Sequence, residues 1–488
     1  MLPCKDGAGM ALAVPLAKGV GLVAVMLVST MLVSTPVLAQ SGLLRPGSVV
    51  AASPVPQMIA SPNAPASIAP APVETVPAPH LGANLLPLLE DMPDTEALTG
   101  GVPKSYRPLP IRLRSLRLVP SVAVAGGYNR LSTQDAASRT TGPVIQIVPQ
   151  LNFDNGDAVN RVAGHLRYSA TRYQDARAND VGAFSGALHY ERGVPELLLL
   201  RLRGSADCNA LARTDINNQP NTREPVRYWQ YLGELDLSHR TPLLGWRVNM
   251  ALDRKLFSPS VDAVSGAPVD QSRRSHARWS MTGVITHQIR PGVEAIASVE
   301  GNRHDYDALR NIGTSASPIV VSPNSTGYQV MGGVNLALND RLMGTMQVGY
   351  MAQNFEEHRI QNIAGLSYKV DLLYRFNDRA NLRLGARKRI DESSSYASPG
   401  RRRTNVDLTY SQDLRENWRV SLTGNLDYYD YMSAGRQPHG YGAAASSRIW
   451  LNRNLSLVTQ AAYYRRDAGL ELDRLRYLTL TQGVEVTF

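Results

Sequence analysis

"WRVSLTGNLDY" (418–428) puts Trp418, Val420, Leu422, Gly424, Leu426 and Tyr428 on one side of an extended chain, with Arg419, Ser421, Thr423, Asn425 and Asp427 on the other. A period of two with one apolar and one polar face is the pattern of a strand whose two sides meet different solvents. "LSYKVDLLYRF" (366–376) repeats it, Leu366, Tyr368, Val370, Leu372, Tyr374 and Phe376 standing opposite Ser367, Lys369, Asp371 and Arg375. So does "WQYLGELDL" (229–237), where Trp229, Tyr231, Leu235 and Leu237 oppose Gln230, Glu234 and Asp236.

The connections alternate too. "DNGD" (154–157), "RGVP" (192–195), "RPG" (290–292), "NDR" (339–341 and 377–379), "LREN" (414–417) and "NRN" (452–454) read as tight hairpin turns. Between them lie longer polar stretches at 129–140, 206–224, 256–272, 305–324, 391–402 and 431–440. A soluble β-sandwich needs a dry core segment, and from Leu116 onward "LLLL" (197–200) is the main continuous apolar run. In lipid every backbone polar group must be paired internally, so strands can span only as a closed ring. The pattern therefore predicts an all-β fold: a transmembrane antiparallel up-and-down β-barrel of about 18 strands, with short periplasmic turns and long extracellular loops.

Aromatic placement agrees. Trp229, Tyr231, Trp246, Tyr350, Tyr374, Trp418, Tyr428 and Tyr463 carry the outward parity near strand ends, where aromatic girdles meet the bilayer interfaces. In "LTLTQGVEVTF" (478–488), Leu478, Leu480, Val484, Val486 and Phe488 point outward and Thr479, Thr481, Glu485 and Thr487 inward. This is expected to be the closing strand, paired with the first strand near 116–128.

The barrel is expected over residues 114–488. Lys5 and Lys18 precede "GVGLVAVMLVSTMLV" (19–33), and Val37-Leu38-Ala39 offers a cleavage site, so residues 1–39 read as a secretory signal peptide. Residues 40–113 read as a Pro/Ala-rich disordered periplasmic segment, with a short amphipathic stretch at 81–92 that Pro87 interrupts. Cys4 falls in the signal; Cys208 is expected in a surface loop.

The net charge of +10 does not point to nucleic acid, because the basic residues are spread singly along alternating segments. "RRR" (401–403), in a Gly/Ser/Pro-rich stretch, reads as a solvated loop. Acyl-transfer, zinc-protease, redox, P-loop and EF-hand signatures are absent from the sequence, so neither catalysis nor a cofactor or metal is expected. His304, Asp305 and Asp307 can be drawn as one polar site and His165 with His189 as another, but ordinary lumen or loop groups explain both.

The inward parity is more informative. It collects Arg167, Arg201, Arg203, Arg247, Arg375, Arg383, Arg387, Arg419 and Lys369, facing Glu234, Asp236, Asp253, Asp371, Asp427 and Glu485. Two readings stay open: guanidinium–carboxylate ladders that brace the wall, or a surplus positive field that favours anionic solutes. Residues 40–113 are not expected to form a plug domain or a helical-repeat array, which disfavours energised uptake and repeat-scaffolded export.

The order of elements at the start of the barrel carries a resemblance. A first strand holds Val119-Pro120 and ends Gly127-Tyr128-Asn129; a second reads "IVPQLNF" (147–153). A tight turn, a strand ending "RYQD" (172–175) and Asn179-Asp180 follow. This resembles the outer-membrane barrels of the putative β-barrel porin 2 type, many of which accompany exopolysaccharide synthesis and export. The resemblance implies a transport role in a Gram-negative outer membrane, contact with lipid and the barrel assembly machinery, and a periplasmic polysaccharide-export partner. It also makes Phe488 an assembly signal. Three functions follow: a channel for exopolysaccharide export, a general diffusion porin for small, anionic solutes, and a barrel enzyme or adhesin acting through the loops at 206–224 and 305–324.

Overall fold

A computed structural model describes residues 102–133, 139–157, 159–194, 196–218, 222–312, 317–338, 341–393, 399–431, 437–467 and 474–488. The expected signal peptide, the Pro/Ala-rich segment up to Gly101 and Cys4 lie outside the described residues.

Eighteen long strands form one antiparallel ring. They are β1 Leu116–Thr133, β2 Thr140–Asp154, β3 Asn160–Tyr173, β4 Val181–Val194, β5 Leu198–Ala210, β6 Arg227–Arg240, β7 Leu244–Phe257, β8 His276–Arg290 and β9 Val293–Tyr306. The second half comprises β10 Ser325–Leu338, β11 Leu342–Phe355, β12 Ile363–Asn377, β13 Ala380–Glu392, β14 Gly400–Arg415, β15 Trp418–Asp430, β16 His439–Trp450, β17 Leu455–Asp467 and β18 Leu475–Thr487. Each pairs with its chain neighbours, and β18 closes on β1 in a register running from Ser121 opposite Thr487 to Thr133 opposite Leu475. Closure removes the free edges that an open sheet would expose. A short strand, Ile111–Leu113, continues along β1 beyond that seam, pairing with Leu116–Leu118. The backbone N–H of Phe488 donates to the Pro120 carbonyl over 2.9 Å, and the half-exposed ring ends the seam.

Turn chemistry sets one end of the barrel. Asn155, Asn377 and Asn452 each accept, through the side-chain oxygen, the N–H two residues on: Asp157 at 3.1 Å, Arg379 at 2.8 Å and Asn454 at 2.8 Å. These side chains mimic a backbone turn and fix the short loops. Gly193 closes another hairpin at φ +104°, where a Cβ would sit 2.0 Å from the Leu198 carbonyl oxygen; only glycine suits that approach.

The two faces are inverted relative to a soluble protein. Leu366, Leu422 and Leu480 are 54%, 56% and 55% exposed, while their neighbours Ser367, Ser421 and Thr481 are 0%, 8% and 3% exposed. Apolar side chains therefore clothe the outside and polar ones pack within, as lipid on one side and water on the other require. Buried apolar clusters among the described residues are small, such as Ala123 with Val148 and Val458.

Strands run further than the loops predicted from sequence allow. β1 continues to Thr133, β5 to Ala210 and β13 to Glu392. Cys208 consequently lies inside β5, not in a surface loop. Arg401, Arg402 and Arg403 lie inside β14, and Arg401 and Arg403 are 3% and 6% exposed. The run is therefore strand, not the solvated loop expected from sequence, and its alternation sends the first and third guanidinium groups into the barrel and the second outward.

Candidate functional site: the lumen and its mouth

Register decides which charges meet inside. Arg203 stands opposite Glu234 and Arg201 opposite Asp236 across β5 and β6. Arg201 donates from Nε to Glu191 at 2.8 Å and lies 3.8 Å from Oδ1 of Asp236, whose Oδ2 accepts from Arg247 of β7. Asp253 accepts from Gln230 at 2.9 Å and faces Arg278, which itself pairs with Glu300 at 2.7 Å. Arg167 lies on the inner face of β3 opposite Gln150 and is buried. Further round, Arg383 bonds Asp371 at 3.1 Å, Arg419 bonds Asp413 at 2.6 Å, and Arg448 bonds Glu485 at 2.6 Å. Arg403 donates to Asp427 at 2.7 Å, with both side chains nearly sealed. Lys369 stands opposite Arg387, and Arg375 opposite Asn381.

Charge is uneven round the lumen. Charged inward side chains stand on β4 to β9 and β12 to β15, whereas β10 and β11 turn uncharged residues such as Gln329, Met331, Thr345 and Gln347 inward. Across β16, β17, β18 and β1 the inward positions are mostly small or uncharged: Gly442, Ala444, Ser446, Ala462, Gln460, Thr481, Gly483, Ala125 and Ala123. The exceptions on these four strands are the Arg448–Glu485 pair and Arg466.

The candidate histidine sites do not assemble as catalytic groups. His304 faces inward beside His276, whereas Asp305 pairs with Arg303 and Asp307 with Arg254. His165 contacts Ser185 at 3.3 Å and His189 lies 3.7 Å from Glu191.

The mouth at the long-loop end is covered. In the connection between β5 and β6, residues 211–218 and 222–226 turn inward, burying Leu211, Ala212, Arg213, Thr214, Thr222 and Val226. Leu211 and Val226 pack on Tyr228 and Phe257 at its base. Arg213 binds the segment together: Nε donates to Asn179 at 2.8 Å, Nη1 to Thr222 at 2.9 Å and Nη2 to the Arg223 carbonyl at 3.0 Å. Beyond it, the Thr214 carbonyl accepts from Arg466 of β17 at 2.8 Å, and Asn217 accepts from Arg401 of β14 at 2.7 Å. β14 is eight strands on from β6 in a ring of eighteen, close to the opposite wall. Arg401 also donates to the Tyr431 hydroxyl at 3.0 Å and stacks over Tyr429 and Tyr431.

Other loops add to this cover. Arg310, in the connection between β9 and β10, is buried and donates to the Ser393 carbonyl at 3.2 Å. His276 lies 3.5 Å from Glu392 across the same layer. Arg274, in the helical turn Ser272–Arg274, packs its guanidinium 4.4 Å from the Phe257 ring centre. Burial pushes Arg274 down to about 10, and Glu392 and Asp215 oppose that shift, so it remains a cation at neutral pH.

Sequence reasoning missed Arg213, Arg278, Glu300, Arg401, Arg403, Asp413, Arg448 and Arg466. The signal for Arg401 and Arg403 was present, since "RRRTNVDLTY" keeps a period of two. For Arg213 and its distant partners no local signal exists.

The chain is similar to several solved structures. OccK2 (OpdF) of Pseudomonas aeruginosa is 12% identical, with 76% of this chain and 98% of that one covered and a TM-score of 0.39. The copper transporter OprC is 12% identical over 78% of this chain and 82% of that one, with a TM-score of 0.43. The siderophore receptor PirA of Acinetobacter baumannii is 7% identical over 76% and 80%, also with a TM-score of 0.43. No curated protein matches the chain. The family model described as putative beta-barrel porin 2 matches residues 103–487, nearly the whole described part, in agreement with the closed ring of eighteen strands and its polar interior. The chain belongs to the putative beta-barrel porin 2 family, with the fold of an outer-membrane porin.

Proposed function

We propose that this protein is an outer-membrane channel through which an exopolysaccharide leaves a Gram-negative cell. The observation that carries the reading is a polar lumen, unevenly charged round its wall, whose outer end is covered by loops held through side-chain contacts. A barrel of this strand number encloses enough space for a hydrated chain, and a neutral wall of Ala, Gly, Ser, Thr and Gln offers a sugar polymer weak contacts it can leave. The association of similar barrels with polysaccharide export supports the same substrate class. A periplasmic export protein that delivers the polymer to the short-turn end fits this role.

A deletion strain scored for surface polysaccharide tests it. Loss of polymer from the surface, with accumulation in the periplasm and recovery on complementation, is the expected result. Unchanged surface polymer together with steady single-channel conductance would point to a diffusion porin. An adhesin or barrel enzyme acting through its extracellular loops is less favoured, because Arg213 and Arg310 draw parts of two long loops into the mouth.

A further inference from the structure

In the lumen, several charged side chains have an opposite charge as a cross-strand neighbour: Arg203 faces Glu234, Arg201 faces Asp236, Arg278 faces Asp253 and Arg419 faces Asp413. Where like charges face each other, as Arg389 with Arg403 and Arg419 with Arg448, carboxylates answer them: Asp391, Asp427, Asp413 and Glu485. One like-charged pair lacks that answer. On the inner faces of β12 and β13, Lys369 faces Arg387. Like charges placed directly opposite destabilise a sheet, and a local rule broken without a structural return marks a functional position.

The surroundings do not neutralise the pair. Asp371, two residues from Lys369 on the same face, is engaged by Arg383 at 3.1 Å. Asp407 of β14 reaches the place left open by Gly385, where a Cβ would lie 2.5 Å from its carboxylate. Among the described residues, Lys369, Arg375 and Arg387 have no carboxylate within ion-pair distance. Four cations thus share two carboxylates. Arg375 and Arg383 are exposed and Lys369 and Arg387 half-buried, so solvent in the lumen reaches the column.

The column is also axial. Arg375 is level with Asn381, Arg383 one inward position higher, and Lys369 with Arg387 two positions above that. Successive inward positions on a strand are about 7 Å apart, so the cations span roughly 20 Å along the wall. A single small anion would use one of these levels; a polymer bearing repeated carboxylates can engage all of them and pass from one to the next.

Resting on the channel reading above, we infer that Lys369, Arg375, Arg383 and Arg387 form a binding column for an acidic polysaccharide, recognising carboxylate-bearing sugar units. The mostly uncharged inner faces of β16, β17, β18 and β1 then give clearance for the sugar rings while the column guides the acid groups.

The test uses the full refolded chain with oligogalacturonate as the acidic probe and maltohexaose as the neutral one. Calorimetry is expected to show oligogalacturonate binding that weakens with salt and no maltohexaose binding of similar strength. The double variant Lys369→Gln, Arg387→Gln should lose affinity for the acidic probe about tenfold while keeping its heat-modifiable gel shift. In planar bilayers the wild type should prefer chloride over potassium, and the double variant should lose that preference. Equal binding of the two probes, or an unchanged affinity in a correctly folded double variant, would overturn the column. Conduction without anion preference would overturn it too, yet leave the channel standing. Normal surface polysaccharide in the deletion strain would remove the export reading, while the calorimetry still decides whether the column binds acidic sugars.

Discussion

Arg401, on the inner face of β14, donates a 2.7 Å hydrogen bond from Nη1 to the side-chain oxygen of Asn217, 184 positions earlier in the connection between β5 and β6. That bond, with Arg466 to the Thr214 carbonyl, ties a loop from one wall to the opposite side of the ring. A hydrogen bond from a charged donor contributes about 1.5–3 kcal/mol. Asn217→Ala removes the acceptor and leaves Arg401 its Tyr431 partner. Its expected effect is a shift of about ten- to a hundredfold toward the uncovered mouth, read as higher open probability in single-channel recordings. An unchanged record would mean that this contact does not hold the loop.

The alternation of faces predicts a sharp contrast between neighbours. Leu422 is 56% exposed on the outer face of β15, and Thr423 faces inward, its hydroxyl 3.1 Å from that of Thr409. Leu422→Arg should cost about 2–4 kcal/mol near the membrane midplane, and Thr423→Arg less than about 1 kcal/mol, because only the first meets lipid. Urea unfolding of the barrel in vesicles measures both. Equal costs would contradict the assigned parity.

Much of this architecture is legible in sequence because a period of two is a local property. Leu422 and Thr423 declare their faces without help from the rest of the chain, and Asn377 announces its turn. The seam of β18 on β1 was readable as well, since a closed ring leaves Thr479 and Thr481 only one side to face. The covered mouth was not. Arg213, Asn217 and Thr214 look like ordinary loop residues until Asn179, Arg401 and Arg466 are brought to them by closure of the ring. Arg401 and Arg403 failed for a different reason: three adjacent guanidinium groups repel in a coil, but in a strand they alternate.

Acid should loosen the cover from its edge. In the connection between β7 and β8, the Asp262 carboxylate accepts the N–H groups of Val264 and Ser265 at 3.0 and 2.7 Å and the Ser265 hydroxyl at 2.9 Å. These bonds hold its pKa below the ordinary aspartate value, Ser265 contributing most. A group lowered in the folded state stabilises above its unfolded pKa of about 3.9, and that contribution disappears as pH falls through the folded value. The ribbon Ser260–Val261 with Pro268–Val269 carries the Arg223 N–H on the Val261 carbonyl, so it supports the loop 211–226. Amide exchange at Val264 and Ser265, corrected for intrinsic rate, should stay constant from neutral pH to about 4 and rise below it. Asp262→Asn, which keeps one acceptor oxygen, should remove this acid step. A rise already centred near pH 6 would assign the change to another group.

Arg403 and Asp427 test what the sealed part of the charged wall is for. Their side chains are 7% and 4% exposed, and two guanidinium nitrogens reach the same carboxylate oxygen at 3.1 and 2.7 Å. Removing one partner leaves a buried charge with nothing to answer it, so Arg403→Met alone should destabilise the barrel by about 3–5 kcal/mol. Replacing both, as Arg403→Met with Asp427→Leu, should recover most of that loss, because well-packed apolar groups avoid the desolvation that the ion pair must offset. If the double variant is as unstable as the single one, the pair's hydrogen bonds, including those from Asn405 and Asn425 to Asp427, hold β14 and β15 in place. If it recovers stability and also conducts or exports normally, the pair is a brace that can be exchanged. The cation-rich column on β12 and β13 would then be the part of the wall whose charge the polymer requires.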